Sequence, residues 1–595
     1  PRSTQGVSSA ASDVYKRQQE VDWLVAGTGV GGLTGAVVAH ELGAEVLVVE
    51  SASVYGGTTA HSGGVAWIPG HHLQSSVGIE DSREEGYQYL RSLIGDTVKE
   101  ERLRAYADKA DEMLQFMHKH SRVKYTPLPA YMDYYEQHQG SKHGGRSMCP
   151  GAFTLRQLGK EATYLRRGPF KGLGMPFSMT VVESSSLMKM NLRSYLIGAK
   201  LMLRYWLDIP SRLKGDSDDR ISCGEALIAR LRKTLMDRDI PLWLDSPVVE
   251  LIKQDNKVIG AVINKKGQTV SVKARKGVLL ATGGFASNLE MREQYHPKPT
   301  STEWTAASPD SNGDGIRLGQ SVGAAVNFMS SAWWSPSYTM PDGQTISLIA
   351  GKAMPGSIMV NRIGKRFTNE AQPYEDVVKE QYLSEQRGEK AIPCYLIFDA
   401  NYRSKYVIGH IKPTKLESDD HIPKDYFETG LLTKASSLPQ LAEKLDIDAA
   451  QLVETVTQFN ANAIKGIDPD FGRGETLHDR YYADAKVIPN PSLAPIDKGP
   501  FYAFKIEAGD LDTKGGIVCD EWARVCDNDG SVIEGLYGAG NTTAAVMGDT
   551  YPGAGATIGS AMTFAYIAAQ YAICLLYTSD AADDTPCVDL GGRRI

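Results

Sequence analysis

Val21 to Ala26 is an apolar run interrupted only by Asp22, and Gly27-x-Gly29-x-x-Gly32 follows it directly. The run reads as a buried strand. Small and apolar residues from Leu33 to Leu42 predict a helix, and Val46 to Val49 predict a second strand ending at Glu50. Two further apolar runs end in glycines: Gly277-Val278-Leu279-Leu280-Ala281-Thr282-Gly283-Gly284, and Gly535-Leu536-Tyr537-Gly538-Ala539-Gly540-Asn541 near the C-terminus. A helix is expected from about Gly555-Ala556-Thr557-Ile558-Gly559. Between Ala332 and Ile506 the pattern changes to irregular strands, a Pro-rich loop and one helix from Leu438 to about Ala463. From Leu187 to Asp208 a helix is predicted with Lys189, Arg193, Lys200 and Arg204 as one stripe.

Strand, glycine turn, helix, second strand and acid, in that order, make a dinucleotide site. Gly27 supplies the tight turn, Gly29 lets a pyrophosphate approach the backbone, and Gly32 lets the helix pack closely. The helix N-terminus faces the phosphates, and Glu50 is placed to accept ribose hydroxyls. This unit alone fits either FAD or NAD. The loop Gly56 to Gly64, with Gly57, Thr58, Thr59, Ser62 and Gly63, lets a large cofactor lie along backbone and favours FAD. Ala281, Gly283 and Gly284, then Gly540 and Asn541, extend the same surface. Amides from Gly555 to Ile558 are expected to face the N1–O2 edge of a reduced flavin. The fold expected is α/β: a Rossmann-like FAD-binding domain in two parts, 19–331 and 507–573. An α+β substrate domain, 332–506, is inserted between them, and a long insert spans 152–219 within the first part.

A net charge of −7 gives no reason to expect nucleic acid. Seven cysteines without a C-x-x-C pair make a zinc ribbon or an iron–sulfur cluster unexpected, and no metal is anticipated. They suit a reducing compartment, so the expected location is cytoplasmic.

The four glycine-rich segments, at these places, resemble the flavoprotein family of fumarate reductase, succinate dehydrogenase and the 3-ketosteroid dehydrogenases, over nearly all of the chain. Respiratory members bond flavin to a histidine near the second glycine loop. Gly57 stands at that position, so the resemblance implies non-covalent FAD, with His61 structural. Fumarate reductases carry a histidine in a late glycine loop, and the matching stretch, Asp510-Leu511-Asp512-Thr513-Lys514-Gly515-Gly516, has none. Instead, Asp133-Tyr134-Tyr135, Asn369-Glu370-Ala371-Gln372-Pro373-Tyr374 and Tyr551-Pro552-Gly553-Ala554-Gly555 look like motifs of the 3-ketosteroid Δ1-dehydrogenases. Ala554 replaces the second proline of the usual YPGPG. One tyrosine among 28 means little, but three in matching motifs carry the resemblance.

The resemblance implies that Tyr551 hydroxyl and Gly555 N–H hold the C3 carbonyl oxygen. Tyr374, as tyrosinate, removes the C2 proton, Tyr134 hydrogen-bonds Tyr374, and the C1 hydride passes to flavin N5. A phenol ordinarily ionises near pH 10, so the base is expected to be shifted downward. Tyr131 and Tyr135 rival Tyr134 by position. The partners implied are a 3-ketosteroid and a quinone or other electron acceptor. A Δ4-dehydrogenase or an ene-reductase on the same scaffold is the alternative, and a membrane-surface electron-transfer flavoprotein is the rival of another class. The basic helix either lies in a membrane interface, making the protein peripheral on the inner face, or packs on its own domain or a dimer partner.

Both ends are expected to be foreign to the fold. One adapter-like oligonucleotide encodes residues 8–18 (SSAASDVYKRQ), and its complement in a shifted frame encodes the start of the tail from Cys574 (CLLYTSDAAD). The segments 1–18 and 574–595 are therefore set aside.

Overall fold

The computed structural model describes residues 18–168, 177–188, 192–213 and 219–575. Strand β1 (Gln18–Ala26) sends Trp23 and Val25 into one buried cluster and Leu24 and Ala26 into another. Both faces are covered, so the strand is legible as a run rather than an alternation. Gly27 (φ 106°) turns the chain into α1 (Val30–Glu41), and β2 (Val46–Val49) lies parallel to β1 from Trp23↔Val46 to Ala26↔Val49. The long amphipathic α2 (Glu100–His120) covers one face with Leu103, Tyr106, Met113 and Leu114.

Most of the helix expected from Leu187 to Asp208 is present as α4 (Leu192–Leu207), while Leu187 and Met188 end a separate helix, α3 (Val181–Met188). Ser194 Oγ donates to the Ser186 carbonyl at 2.5 Å, and a Cβ on Gly198 would lie 3.4 Å from the Leu187 side chain. On one straight helix, positions eight apart are separated by roughly 12 Å along the axis. The two helices therefore pack side by side, and Arg193, Lys200 and Arg204 keep their expected spacing on α4. Lys189 lies outside the described residues, as does the side chain of Arg193, while Lys200 and Arg204 are exposed on α4.

The helix α5 (Cys223–Met236) packs on α1, and β3 (Leu242–Trp243), β4 (Val248–Gln254), β5 (Lys257–Lys265) and β6 (Gln268–Leu280) follow. The first half of β6 pairs antiparallel with β5, and from Ser271 to its end at Leu280 it runs beside β1. The middle of the chain adds β7 (Ala332–Trp334), β8 (Ser357–Val360), α6 (Tyr374–Gln386), β9 (Cys394–Asp399) and β10 (Leu432–Ala435). The expected helix from Leu438 is interrupted, giving α7 (Leu438–Leu445) and α8 (Ala449–Lys465). Asp446 adopts φ 56° as a left-handed cap, and Asp448 caps the next helix through Gln451 N at 2.8 Å. With β11 (Phe501–Ile506) these strands form an antiparallel sheet in the order β8-β9-β11-β10, buried on both faces.

The chain then returns through β12 (Asp510–Thr513), which pairs with β7, to β13 (Arg524–Cys526), β14 (Val532–Gly538) and α9 (Ala556–Gln570). The large sheet runs β13-β14-β5-β6-β1-β2-β3, with β4 on β5. Its parallel strands β2, β1, β6 and β14 end together, so Glu50, Gly27, Ala281 and Ala539 meet at one edge, where such sheets bind nucleotides. Among the described residues no helix is long and apolar enough to cross a membrane.

Candidate active site

At the strand tips the glycines divide into two kinds. A Cβ on Gly27 would lie 2.2 Å from the Ala281 carbonyl oxygen, and one on Gly32 2.0 Å from the Gly27 oxygen, so internal packing demands both. Gly29 has an ordinary φ of −64° and would meet nothing nearer than Thr59 Oγ1 at 3.7 Å. No packing inside the protein requires it to be bare. It stands at the N-terminus of α1, where bare amides fit a pyrophosphate. The residues present therefore fit FAD.

The other expected cofactor residues line the same edge. Glu50 accepts from Thr28 N at 3.0 Å, from the Thr28 hydroxyl and from Ala52 N at 3.1 Å. Gly57 opens a short helix, Gly57–His61, and Thr59 Oγ1 accepts from Val30 N at 3.1 Å, tying that loop to α1. Ser62 Oγ accepts from Gly64 N, leaving Gly63 inside a tight turn. Thr58, Gly283, Gly284, Gly540 and Asn541 gather around Asp512. Its buried carboxyl accepts from Asn541 Nδ2 at 3.1 Å and Ser311 Oγ at 2.8 Å, with Thr58 Oγ1 and Gly284 N at 3.4 Å. Sequence reasoning saw Asp512 only as part of a stretch lacking histidine. Ile558 is buried in the first turn of α9.

Tyr134, Tyr374 and Tyr551 come from a loop, the first residue of α6 and the turn before α9. Their ring centroids form a triangle of 5.7, 5.3 and 5.6 Å. Tyr134 hydroxyl donates to Tyr374 hydroxyl at 3.3 Å, and the Tyr551 ring packs edge-on against Tyr374. Tyr135 turns away and donates to Asp376 Oδ1 at 3.1 Å, whereas Tyr131 lies behind Tyr134 and meets Tyr482 hydroxyl at 2.6 Å. Gly555 caps α9 at φ 93°, where a Cβ would strike the Val65 carbonyl at 2.4 Å. Among the described residues its N–H has no protein acceptor.

Tertiary bonds hold the triangle. Arg146, buried between Asp81 and Asp133, fixes the Tyr134 loop with contacts of 2.6 and 2.7 Å, and Asp133 also accepts from Trp67 Nε1 at 2.7 Å. Tyr134 N and Tyr89 hydroxyl both donate to the Pro552 carbonyl, pinning the Tyr551 turn against that loop.

The FAD binding domain family matches residues 22–558. A 3-oxosteroid 1-dehydrogenase of Mycolicibacterium smegmatis is 39% identical, covering 93% of this chain and 97% of the relative. A 4-oxocyclohexanecarboxylate 2-dehydrogenase of Sinomonas cyclohexanicum is 34% identical, covering 92% of each chain. The crystal structure of a 3-ketosteroid Δ1-dehydrogenase from Sterolibacterium denitrificans, in complex with 1,4-androstadiene-3,17-dione, superimposes with a TM-score of 0.89. It is 40% identical and covers 93% of this chain and 99% of its own. The chain belongs to the FAD-binding-domain family that contains these dehydrogenases. It is an FAD-dependent oxidoreductase of the kind that acts on CH–CH bonds.

Within this flavoprotein the phenols do not have the acidity expected of a base. Burial pushes Tyr374 well above its ordinary value, with the nearby Tyr551 and Tyr131 acting in the same direction. The Tyr134 hydrogen bond pulls it back, and the N-terminus of α6, where Tyr374 is the first residue, acts in the same sense. Burial likewise raises Tyr551 to about 12. His478, missed in the sequence, stacks edge-on against Tyr134 at 4.9 Å, and burial holds its imidazole neutral, down to about 3. Trp333 packs on Tyr551 at 5.0 Å and donates to Asn541 Oδ1 at 3.0 Å. Neither residue lies in a motif, so neither carries a local signal.

Gly27→Ala is expected to lose bound FAD, read as flavin absorbance per protein after purification. Gly43→Ala has a similar φ of 93° but meets nothing within 4 Å, and should keep it. Equal flavin content in the two variants would sink the packing argument.

Proposed function

We propose that the chain is a 3-ketosteroid Δ1-dehydrogenase that forms a C1=C2 double bond, with Tyr134, Tyr374, Tyr551 and Gly555 as its working groups. The observation carrying this reading is the closed tyrosine triangle beside an amide with no protein acceptor. Tyr551 hydroxyl and Gly555 N–H hold the C3 carbonyl oxygen and stabilise the charge that develops there. Tyr374, ionised, takes the C2 proton and becomes a phenol, and Tyr134 donates to its oxygen. FAD, when bound, supplies the acceptor for the C1 hydride. The aromatic surroundings support a neutral polycyclic ketone over a carboxylate-bearing monocycle. Trp333 and an uncharged His478 pack on the triangle, and Tyr131, with Tyr481 and Tyr482 against it, lies behind Tyr134.

FAD is held without a covalent bond in this reading. Gly57 has no side chain to offer, and His61 stands four residues further along, at the end of the short helix. Acid denaturation is expected to release all flavin into the supernatant, and flavin retained on the polypeptide would contradict this.

The helical pair is proposed to rest on an anionic lipid surface, which suits a lipophilic substrate and a quinone acceptor. Leu192, Leu207 and Leu213 are 76, 70 and 83% exposed, with Trp206 at 58%, beside exposed Lys200 and Arg204. Apolar side chains that insert next to cations that meet headgroups are the marks of an interfacial helix. Wild type should sediment with anionic vesicles at low salt, and K200E/R204E should not, at unchanged turnover of a soluble short steroid. Wild type that stays in solution contradicts the proposal.

Three substitutions test the division of labour. Tyr374→Phe should bind steroid yet lose ~10²–10⁴-fold in flavin reduction, as for a missing general base. Tyr551→Phe should lose ~10²–10³-fold and also weaken binding, since one donor to the carbonyl is gone in both states. Tyr134→Phe should be milder. Its hydrogen bond lowers Tyr374, so removing it raises the base and moves the activity limb to higher pH. Near-wild-type reduction by Tyr374→Phe would overturn the assignment.

A further inference from the structure

Tyr374 and Tyr551 belong to segments 177 residues apart, and the space between their rings must be held to a fraction of an ångström for a proton to leave one side of a ketone while its oxygen is bound on the other. One side chain touches the neighbours of both. Lys514 follows β12, and its Nζ donates to Glu375 Oε1 at 2.7 Å and to the Thr550 carbonyl at 2.9 Å. Glu375 is the residue after Tyr374, and Thr550 the residue before Tyr551. The same ammonium lies 4.8 Å over the ring of Trp333, which packs on Tyr551. At the rim, Lys379, one turn further along α6, repeats the link, to Glu375 Oε1 at 2.9 Å and the Asp549 carbonyl at 2.6 Å.

Lys514 and Glu375 are both 0% exposed. Taking two charges out of water costs about as much as their attraction returns, so such a pair adds little stability over an apolar filling of equal volume. What it supplies is registry, because each partner punishes any arrangement that separates it from the other. Here the registry set is that of α6 against the turn before α9. We propose that Lys514, through Glu375 and the Thr550 carbonyl, is the positioning residue that fixes the distance between the base and the oxyanion donor. The inference rests on the roles given above to Tyr374 and Tyr551.

The test compares K514M, E375M and the double variant K514M/E375M, purified with FAD, by melting temperature, steroid affinity and anaerobic flavin reduction. K514M leaves Glu375 buried without its central partner and should both melt lower and reduce flavin ~10²-fold more slowly, the scale of a misplacement of about 1 Å. The double variant removes the stranded charge and should regain melting temperature but not rate. A purely structural pair predicts the opposite, with stability and rate recovering together, and that result overturns the proposal. So does K514M reducing flavin at the wild-type rate. Should K514M fail to fold, E375Q and E375L decide. The amide keeps an acceptor for Nζ and should hold the rate within about tenfold, whereas E375L should lose ~10²-fold. Equal rates would overturn the proposal. Tyr374→Phe is the control: if it stays active, the base assignment has failed, and if it is dead while K514M is unimpaired, only the latch has.

Discussion

The phenol proposed as the base, Tyr374, is buried in this protein. Burial alone drives Tyr374 away from ionisation. The same burial strengthens each donor aimed at a developing oxyanion, because charges and dipoles act there through a low dielectric. The two effects oppose each other in one small volume, and much of the surrounding structure answers to that opposition. Tyr374 is the first residue of α6, and Gly555 caps α9, so two helix N-termini bring partial positive charge to the site. Tyr134 adds a directed hydrogen bond in the lowering direction.

None of these groups is local to another in sequence, and the fold explains how they meet. The parallel strands end at one edge and present main chain, not side chains, to the cofactor. Thr59, Ser62 and Asn541 spend their side chains on the loops themselves, so the cofactor surface is mostly backbone. The three tyrosines come from elsewhere: one from a loop clamped by the Asp81–Arg146–Asp133 network, one from the antiparallel unit, and one from the turn into α9. The Pro552 carbonyl, shared by Tyr134 N and Tyr89 hydroxyl, joins two of the three.

Legibility in the sequence follows the range of the forces involved. Strand, glycine turn and helix from Val21 to Leu42 are set by burial on both strand faces and by one tight approach, and the residues concerned are neighbours. The glycines were readable for the same reason. The helix from Leu438 was misjudged because its apolar spacing continues across Asp446 and Asp448, while a left-handed cap and a new N-cap divide it. The basic stripe is legible from Arg193 to Arg204, which α4 carries, but periodicity cannot see that α3 packs beside it. Ser194 bonding to Ser186 is a tertiary fact. Trp333, His478, Asp512 and Lys514 act only through partners far away in the chain, so no window of sequence contains their signal.

Asp512 shows how far such long-range constraint extends. It is a non-glycine residue at φ 141°, a conformation side chains rarely adopt, and it stays there because its carboxyl is bonded from several sides. Asp510 on the same strand is paired with buried Arg292 at 2.6 Å, and Lys514 just beyond it with Glu375. Residues 510, 512 and 514 are all fully buried, and their side chains reach three different parts of the structure. One is paired with buried Arg292, the next meets the glycine loops, and the third reaches the helix that carries Tyr374. A short extended segment, unremarkable by composition, thereby ties the cofactor edge to the tyrosines through three buried charged groups. Its one strained residue, Asp512, is held by hydrogen bonds from Ser311, Asn541 and Thr513.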